Sequence, residues 1–266
     1  DITKHKGFLR YLVLRKGIHT NEIMINIVTS IKKINLLEPI VNVLLKKIKN
    51  IKCIVNTINT RKAGVAFGEK QFVLFGNNYI NERIGNYIFK ISPESFFQTN
   101  SYQVKILYDY IKKQADLTSN EIIHDLYSGT GTIGLYLSSL AKHIYGFEII
   151  EGATKNALEN AKINNVKNSS FYCGDLKDFY NNKMQNIDKP NIIIVDPPRA
   201  GLHNNVIQTI INQKPEKFIY ISCNPSTQAR DVKIFVENNF IVKDIQPIDM
   251  FPHTPHIECI TTLIYK

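Results

Sequence analysis

Two regimes of hydrophobic and polar patterning divide the chain. As far as residue 91, short apolar or alternating runs at 8–15, 22–30, 53–57, 71–74 and 87–91 predict strands. Between the second and third of these, Leu37, Ile40, Val41, Leu44, Leu45 and Ile48 recur at the three-four spacing of one buried face, so 36–49 is predicted as helix. Lys46, Lys47 and Lys49 fall off that face; a solvated helix surface is their simplest role and a phosphate contact the alternative. From Ser92 the pattern changes. A helix at 101–115 leads into apolar strands at 122–126, 143–147, 170–173, 192–196 and 218–222, separated by helices at 133–140, 153–164, 204–212 and 228–238. Strands apolar on both faces belong in a parallel sheet covered by helices. Two further β segments, 240–247 and 256–265, are expected to close that sheet as an antiparallel pair. The fold class predicted is α/β, with a small mixed α/β domain over 1–91 and a larger domain over 92–266.

Composition narrows this picture only slightly. At 266 residues and 44% hydrophobic the chain can bury a substantial core. No apolar run approaches the roughly 20 residues that span a bilayer, and the N-terminus lacks the regions of a secretory signal, so a cytoplasmic protein without membrane contact is expected. Cys53, Cys173, Cys223 and Cys259 are scattered and form no CxxC pair, which argues against a disulfide framework and against a zinc or iron–sulfur site; no metal is expected. The formal charge of +10 suits a polyanionic partner such as RNA, although a chain rich throughout in Ile, Asn and Lys acquires such a charge from composition alone. The first residue is Asp1, from which a fragment or processed product is expected.

The first motif with chemistry is 124–134, His-Asp-Leu-Tyr-Ser-Gly-Thr-Gly-Thr-Ile-Gly, which follows a predicted strand and opens a helix. Gly129, Gly131 and Gly134 allow a tight turn and close backbone approach to a ligand, and Glu148, at the end of the next strand, can accept hydrogen bonds from a ribose diol. The spacing alone suits NAD and S-adenosylmethionine equally. Asp125 tips the choice, since a carboxylate just before the glycines repels a pyrophosphate and suits a cationic amino-acid tail. Asp175, at the end of the third strand, can meet an adenine edge or serve as a plain turn residue.

Two more strand ends are unusual. The strand 192–195 delivers Asp196 and stops at Pro197-Pro198, followed by Arg199-Ala200-Gly201; ligands of open α/β sheets bind outside the carboxyl ends of strands, which places Asp196 in the same crevice as Glu148. The strand 218–222 leads to Cys223-Asn224-Pro225 and a helix. A lone cysteine is usually inert core, but this one precedes a helix N-terminus, whose partial positive charge stabilises a thiolate, and it is read as a nucleophile.

With these segments in place the chain resembles the RNA 5-methyluridine methyltransferases acting on ribosomal and transfer RNA, particularly the 23S rRNA branch. The matching stretches are 92–100 (SPESFFQTN), the glycine loop, 196–201 (DPPRAG), 222–225 (SCNP) and 249–258 (DMFPHTPHIE), in that order along almost the whole chain. The resemblance implies a Rossmann-like class I methyltransferase domain, S-adenosyl-L-methionine as cofactor and an RNA substrate, with Cys223 as nucleophile and Glu258 as base. It places Gln98, Tyr127, Gly129, Thr132, Glu148, Asp175 and Asp196 around the cofactor. Thr132 stands where many relatives have Asn. Many ribosomal members also carry a Cys-ligated iron–sulfur cluster and an N-terminal RNA-gripping β-barrel; neither is visible in this sequence. A monomer is expected.

The implied chemistry explains the residue types. Carbon 5 of uracil becomes nucleophilic only once a thiolate has added at carbon 6, and after methylation a carboxylate must remove the proton from carbon 5 before the cysteine can leave. The uridine must be unstacked to be reached, for which Phe96, Phe97 and Tyr127 are candidate stacking surfaces. Other readings are a transfer RNA substrate, an amino-group methyltransferase, whose Asp/Asn-Pro-Pro-aromatic motif has Arg199 here in place of the aromatic, and a non-catalytic RNA-binding module.

Overall fold

The computed structural model describes residues 6–61, 68–176 and 187–266. The chain divides into two units, Asp1–Ser95 and Phe96–Lys266. In the first, β1 (Leu9–Lys16), β2 (Ile23–Thr29), β3 (Ile51–Ile58) and β4 (Lys70–Gly76) form a sheet in that spatial order. β2 and β3 are parallel, so the chain must cross over between them, and α1 (Ile34–Lys47) makes the crossing. It lays Leu37 and Val41 on Ile25, Ile27, Ile51 and Ile54. A hairpin of β5 (Ile80–Ile84) and β6 (Tyr87–Ile91) follows. β5 escaped the sequence pattern because Glu82 occupies one of its inward positions. That carboxylate, 1% exposed, accepts hydrogen bonds from the backbone N–H groups of Ile18 (2.6 Å), His19 (3.0 Å) and Arg83 (2.8 Å), which is how a charge is tolerated there. Residues 92–95 stay with this unit: Arg15 Nη1 donates to the carbonyl of Ser95 at 2.7 Å.

The second unit is an α/β sheet of seven strands among the described residues. β7 (Ile122–Leu126), β8 (His143–Glu148), β9 (Ser169–Cys173), β10 (Ile192–Val195) and β11 (Lys217–Ser222) run parallel, and β12 (Phe240–Ile248) and β13 (Glu258–Tyr265) complete the sheet in antiparallel sense. The order is β12-β13-β11-β10-β7-β8-β9. Helices α2 (Ser101–Ala115), α3 (Thr132–Leu137, continued as a 3-10 turn at Ser138–Leu140), α4 (Glu151–Ile163), α5 (Asn204–Gln213) and α6 (Pro225–Glu237) accompany it. Ile193, Val195, Phe218, Tyr220, Phe235 and Phe240 are buried in one core cluster, each such side chain contributing about 1.5–3 kcal/mol by leaving water. After β7 the chain builds outward through β8 and β9, then returns to β10 on the other side of β7. The crevice at the carboxyl ends of β7 and β10 is therefore the switch point of the sheet, where such folds bind ligands.

Candidate active site

At the end of β7 the backbone turns through three left-handed residues, Tyr127 (φ 64°), Gly129 (φ 54°) and Gly131 (φ 78°). A tyrosine held there costs about 1–3 kcal/mol, and such strain persists where the surroundings fix it. A Cβ on Gly131 would lie 2.8 Å from the Phe171 ring and 3.0 Å from Ala157 Cβ, so the loop packs too closely on β9 and α4 for any side chain. Gly129 is different: nothing lies within 4 Å of the place its Cβ would take. The ground before Gly129 is open. Glu148, at the end of β8, frames it by accepting hydrogen bonds from the N–H groups of Gly129 (2.9 Å) and Ile150 (2.8 Å), and its two oxygens retain lone pairs for a further donor. Gly174 N donates to the Glu148 carbonyl at 2.9 Å, tying the β9 end and Asp175 to the same rim. Burial, and then the charge of Asp175, push the Tyr127 phenol up to about 12.

Asp125 does not face this ground as its place before the glycines suggested. It is 1% exposed and accepts from Gly134 N at 3.1 Å, so its carboxylate sits beneath the loop and holds the first turn of α3. Burial pushes it up to about 7, Asp196 and Glu148 adding to the rise and the Gly134 bond opposing it. Thr132 shares a 2.7 Å hydrogen bond with the buried Tyr108 hydroxyl of α2. Gln98 lies half-buried just ahead of α2, whose cap, Asn100, donates to the carbonyl of Met250 at 3.3 Å.

The reaction centre is set by strand register. Asp196 follows β10 and Cys223 follows β11. β13 pairs with β11 so that Ile260 faces Ile221 and Cys259 faces Ser222; one step further along the same register, Cys223 comes opposite Glu258. Glu258 is 2% exposed and raised to about 8, chiefly by burial, then by Asp196, with Arg199 pulling it down. Asp196 is raised to about 7 by burial. Cys223 is half-buried, and its thiol is pushed up by burial and by the charges of Glu258 and Asp196, against the pull of Arg199. Burial and the two carboxylates act on the thiol against the stabilising charge that the sequence placed at the helix N-terminus.

Sequence reasoning missed what holds these strand ends together. Asn224 caps α6 by accepting from Ser226 N (3.2 Å) while its Nδ2 donates to the carbonyl of Arg199 (3.1 Å), and the Thr227 hydroxyl donates to the same carbonyl (3.2 Å). Asp231, fully buried, accepts from Leu202 N (2.8 Å), from the Tyr220 hydroxyl (2.8 Å) and from Arg230 Nε (2.8 Å). Arg230 also donates to the Ala200 carbonyl at 3.0 Å. Gly201 (φ 81°) closes this clamp, and a Cβ there would lie 2.6 Å from Asp231 Oδ2. The loop after Asp196 is thereby fastened to the helix after Cys223. The signal was present: Gln228 and Asp231 are polar residues at the helical spacing of the buried Phe235.

Among the described residues no cluster of His, Cys, Asp or Glu is arranged to hold a metal ion, and no helix is long and apolar enough to cross a membrane. The model of the tRNA (uracil-5-)-methyltransferase family matches residues 42–266. A protein of Enterococcus faecalis called an uncharacterized RNA methyltransferase is 41% identical over 97% of this chain and 56% of its own length, and one of Oceanobacillus iheyensis with the same description is 40% identical over 100% and 58%. The chain thus spans little more than half the length of these relatives. Among solved structures, a Pyrococcus abyssi tRNA (uracil-54, C5)-methyltransferase in complex with S-adenosyl-L-homocysteine superposes with a TM-score of 0.81 at 36% identity, over 98% of this chain and 61% of that one.

Proposed function

We propose that this chain, which belongs to the tRNA (uracil-5-)-methyltransferase family, methylates carbon 5 of a uridine in RNA with S-adenosyl-L-methionine. The observation that carries the reading is the β11–β13 register ending at Ser222 and Cys259, which brings Cys223 and Glu258 to one strand end, where their charges and that of Asp196 act on one another. A thiol and a buried carboxylate at one strand end are the two groups needed for addition to a pyrimidine ring and for its reversal.

The residues fit the cofactor. Gly129 leaves open ground where a nucleoside must approach the backbone, Glu148 offers acceptors for a ribose diol, and Asp196 and Glu258, raised by burial, would ionise more readily beside a sulfonium cation, which suits the crevice to one. Tyr127, Thr132, Asp175 and Gln98 complete the proposed contacts. When bound, the cofactor supplies an electrophilic methyl group. Cys223 gives up its proton, with Asp196 as the nearby acceptor, and its sulfur bonds to carbon 6 of the uracil. The electron pair displaced onto the ring makes carbon 5 a nucleophile that takes the methyl group. Glu258, in its ionised form, then removes the proton from carbon 5; the ring double bond re-forms as the carbon–sulfur bond breaks and the thiolate is released.

Our reading of the substrate is 23S rRNA, on the resemblance of the ordered motifs to that branch, in a cytoplasmic monomer. A transfer RNA substrate is the second reading, favoured by what the Pyrococcus abyssi structure is named for. The test is incubation with 5-fluorouridine-containing RNA and the cofactor. Fluorine cannot leave as a proton, so a covalent protein–RNA complex should accumulate on a denaturing gel, and Cys223→Ala should form none. Failure of the folded, cofactor-bound wild type to form it would overturn the mechanism. Running ribosomal and transfer RNA fragments side by side decides between the substrates.

A further inference from the structure

We propose that the first unit grips the RNA backbone through a basic surface formed by the two ends of α1: Lys32 and Lys33 before it, Lys46 and Lys47 in its last turn, and Lys49 and Lys52 after it. The proposal rests on the RNA reading above and assigns the partner's docking surface within it. Its starting point is how the charge is distributed. Residues 1–95 hold 16 Lys and Arg against 6 Asp and Glu, whereas 96–266 hold 17 of each, so the whole formal charge of +10 lies in the smaller unit. A general enrichment in lysine would have raised both units. It raised one.

Four of the six acids of the first unit are engaged elsewhere, and Glu38, exposed on α1, is the one acid that shares the helix with these lysines. Glu82 is buried under three backbone N–H groups, Glu22 accepts from Asn81, Glu69 pairs with Arg61, and Glu94 accepts from Gln71. The six lysines are all exposed, and among the described residues none of them is in an ion pair with an acid. The second unit also has exposed lysines outside ion pairs, such as Lys112, Lys113 and Lys162, but its helices α2, α4 and α6 carry the pairs Lys105–Asp109, Glu151–Lys155 and Lys233–Glu237 one turn apart, a pattern that α1 lacks among the described residues. Lysines in the last turn of α1 are explained by the helix dipole, but Lys32 and Lys33 at its amino end oppose that dipole, and α1 has no acid in its first turn. With 14 residues at about 1.5 Å each, α1 holds its two lysine groups about 20 Å apart, a span that several backbone phosphates cross. Six exposed cations of one sign on a rigid helix and its flanks suit counterion release from a polyanion.

The experiment is a salt titration of binding to a fluorescein-labelled RNA hairpin with an unpaired uridine in its loop, using the full chain. Wild type is compared with a fourfold variant, Lys46→Gln, Lys47→Gln, Lys49→Gln and Lys52→Gln, and with a fourfold control on the second unit, Lys105→Gln, Lys155→Gln, Lys162→Gln and Lys233→Gln. Each lost phosphate contact lowers the slope of log Kd against log salt by about 0.7–0.9, so the α1 variant should lose a slope of about 3 and the control little. Its circular dichroism and its 5-fluorouridine adduct at saturating RNA should match wild type. Equal slopes in wild type and α1 variant, or a loss confined to the control, would overturn the proposal, and the exposed Leu36, Ile40 and Val43 of α1 would then argue for a protein partner instead. A missing adduct in wild type alongside a lowered slope in the α1 variant would sink the catalytic reading while leaving the docking surface standing.

Discussion

Asp231 offers the sharpest test of whether the loop after Asp196 is fixed by the helix after Cys223. Its carboxylate is fully buried, and one oxygen, Oδ2, accepts from both Leu202 N and the buried Tyr220 hydroxyl. Asp231→Ala leaves both donors without a partner. An orphaned buried donor costs about 1–3 kcal/mol, so the pair should cost about 3–5 kcal/mol, a large share of the 5–15 kcal/mol by which a domain is normally stable. Asp231→Asn can keep an oxygen at the Oδ2 position and both of those bonds. It forfeits the ionic partner of Arg230, whose side chain is more than half exposed and therefore screened, at a cost of about 1 kcal/mol or less. Urea unfolding followed by circular dichroism gives the global difference, and hydrogen exchange of the Leu202 amide gives the local one. Exchange should accelerate strongly in the alanine variant and little in the asparagine variant. Equal destabilisation by the two substitutions would refute the assignment of the clamp to acceptor geometry and make charge the important property.

The glycine loop makes a paired prediction: Gly131→Ala should lower Tm strongly, its Cβ colliding with Phe171, whereas Gly129→Ala should lose only about 1–2 kcal/mol to its left-handed backbone, still fold, and bind S-adenosylhomocysteine several-fold more weakly by calorimetry. Glu258 is raised from its ordinary range to about 8, so the native state holds a proton that the unfolded chain releases near pH 4–5; stability contributed by this group is full below that range and is lost as pH rises towards 8. A Tm series from pH 5 to 8.5 should accordingly flatten in Glu258→Gln, and an unchanged slope would mean that the carboxylate is ionised at rest. With ordinary uridine RNA and cofactor, Glu258→Gln should trap a methylated covalent complex visible by mass spectrometry, and Cys223→Ala none. Arg199→Gln removes the cation that lowers the Cys223 thiol, so iodoacetamide should alkylate Cys223 more slowly than in wild type at pH 8; faster alkylation would contradict the electrostatics.

The parallel sheet was legible in the sequence because its strands are apolar on both faces, a pattern only a doubly covered sheet requires, and the observed strands fall on those runs. β5 was not, since Glu82 breaks the alternation and its compensation comes from Ile18 and His19, more than sixty residues away. The glycine loop was legible as a turn, but the different constraints on its glycines were not: Gly131 is also required by the closeness of Phe171 and Ala157, a matter of tertiary packing, whereas Gly129 is held to glycine by its left-handed backbone and fronts open space. Asp125 misled for the same reason, since sequence gives proximity to the loop and not the side on which the carboxylate lies. The clamp shows the limit most clearly. The sequence assigned Asn224 and Thr227 no role of their own, and only the fold shows that they hold the carbonyl of Arg199, a residue 25 or more positions earlier.

The direction of the shifts at Cys223 and Glu258 bears on how such a centre is poised. A cysteine that rests as a thiolate is reactive toward any electrophile, including oxidants, whether or not substrate is present. Here burial and two carboxylates keep the thiol protonated, and the same carboxylates are raised to about 7 and about 8, where each is as ready to take a proton as to give one. A proton can therefore pass between Asp196 and Glu258 near neutral pH with little free-energy change, whereas the Cys223 thiol, pushed up, gives its proton up less readily; any cation entering the crevice favours the ionised forms of all three at once. Arg199 supplies positive charge to both groups, and its carbonyl is held by Asn224 and Thr227, so a shift of its backbone would alter the acidity of nucleophile and base together.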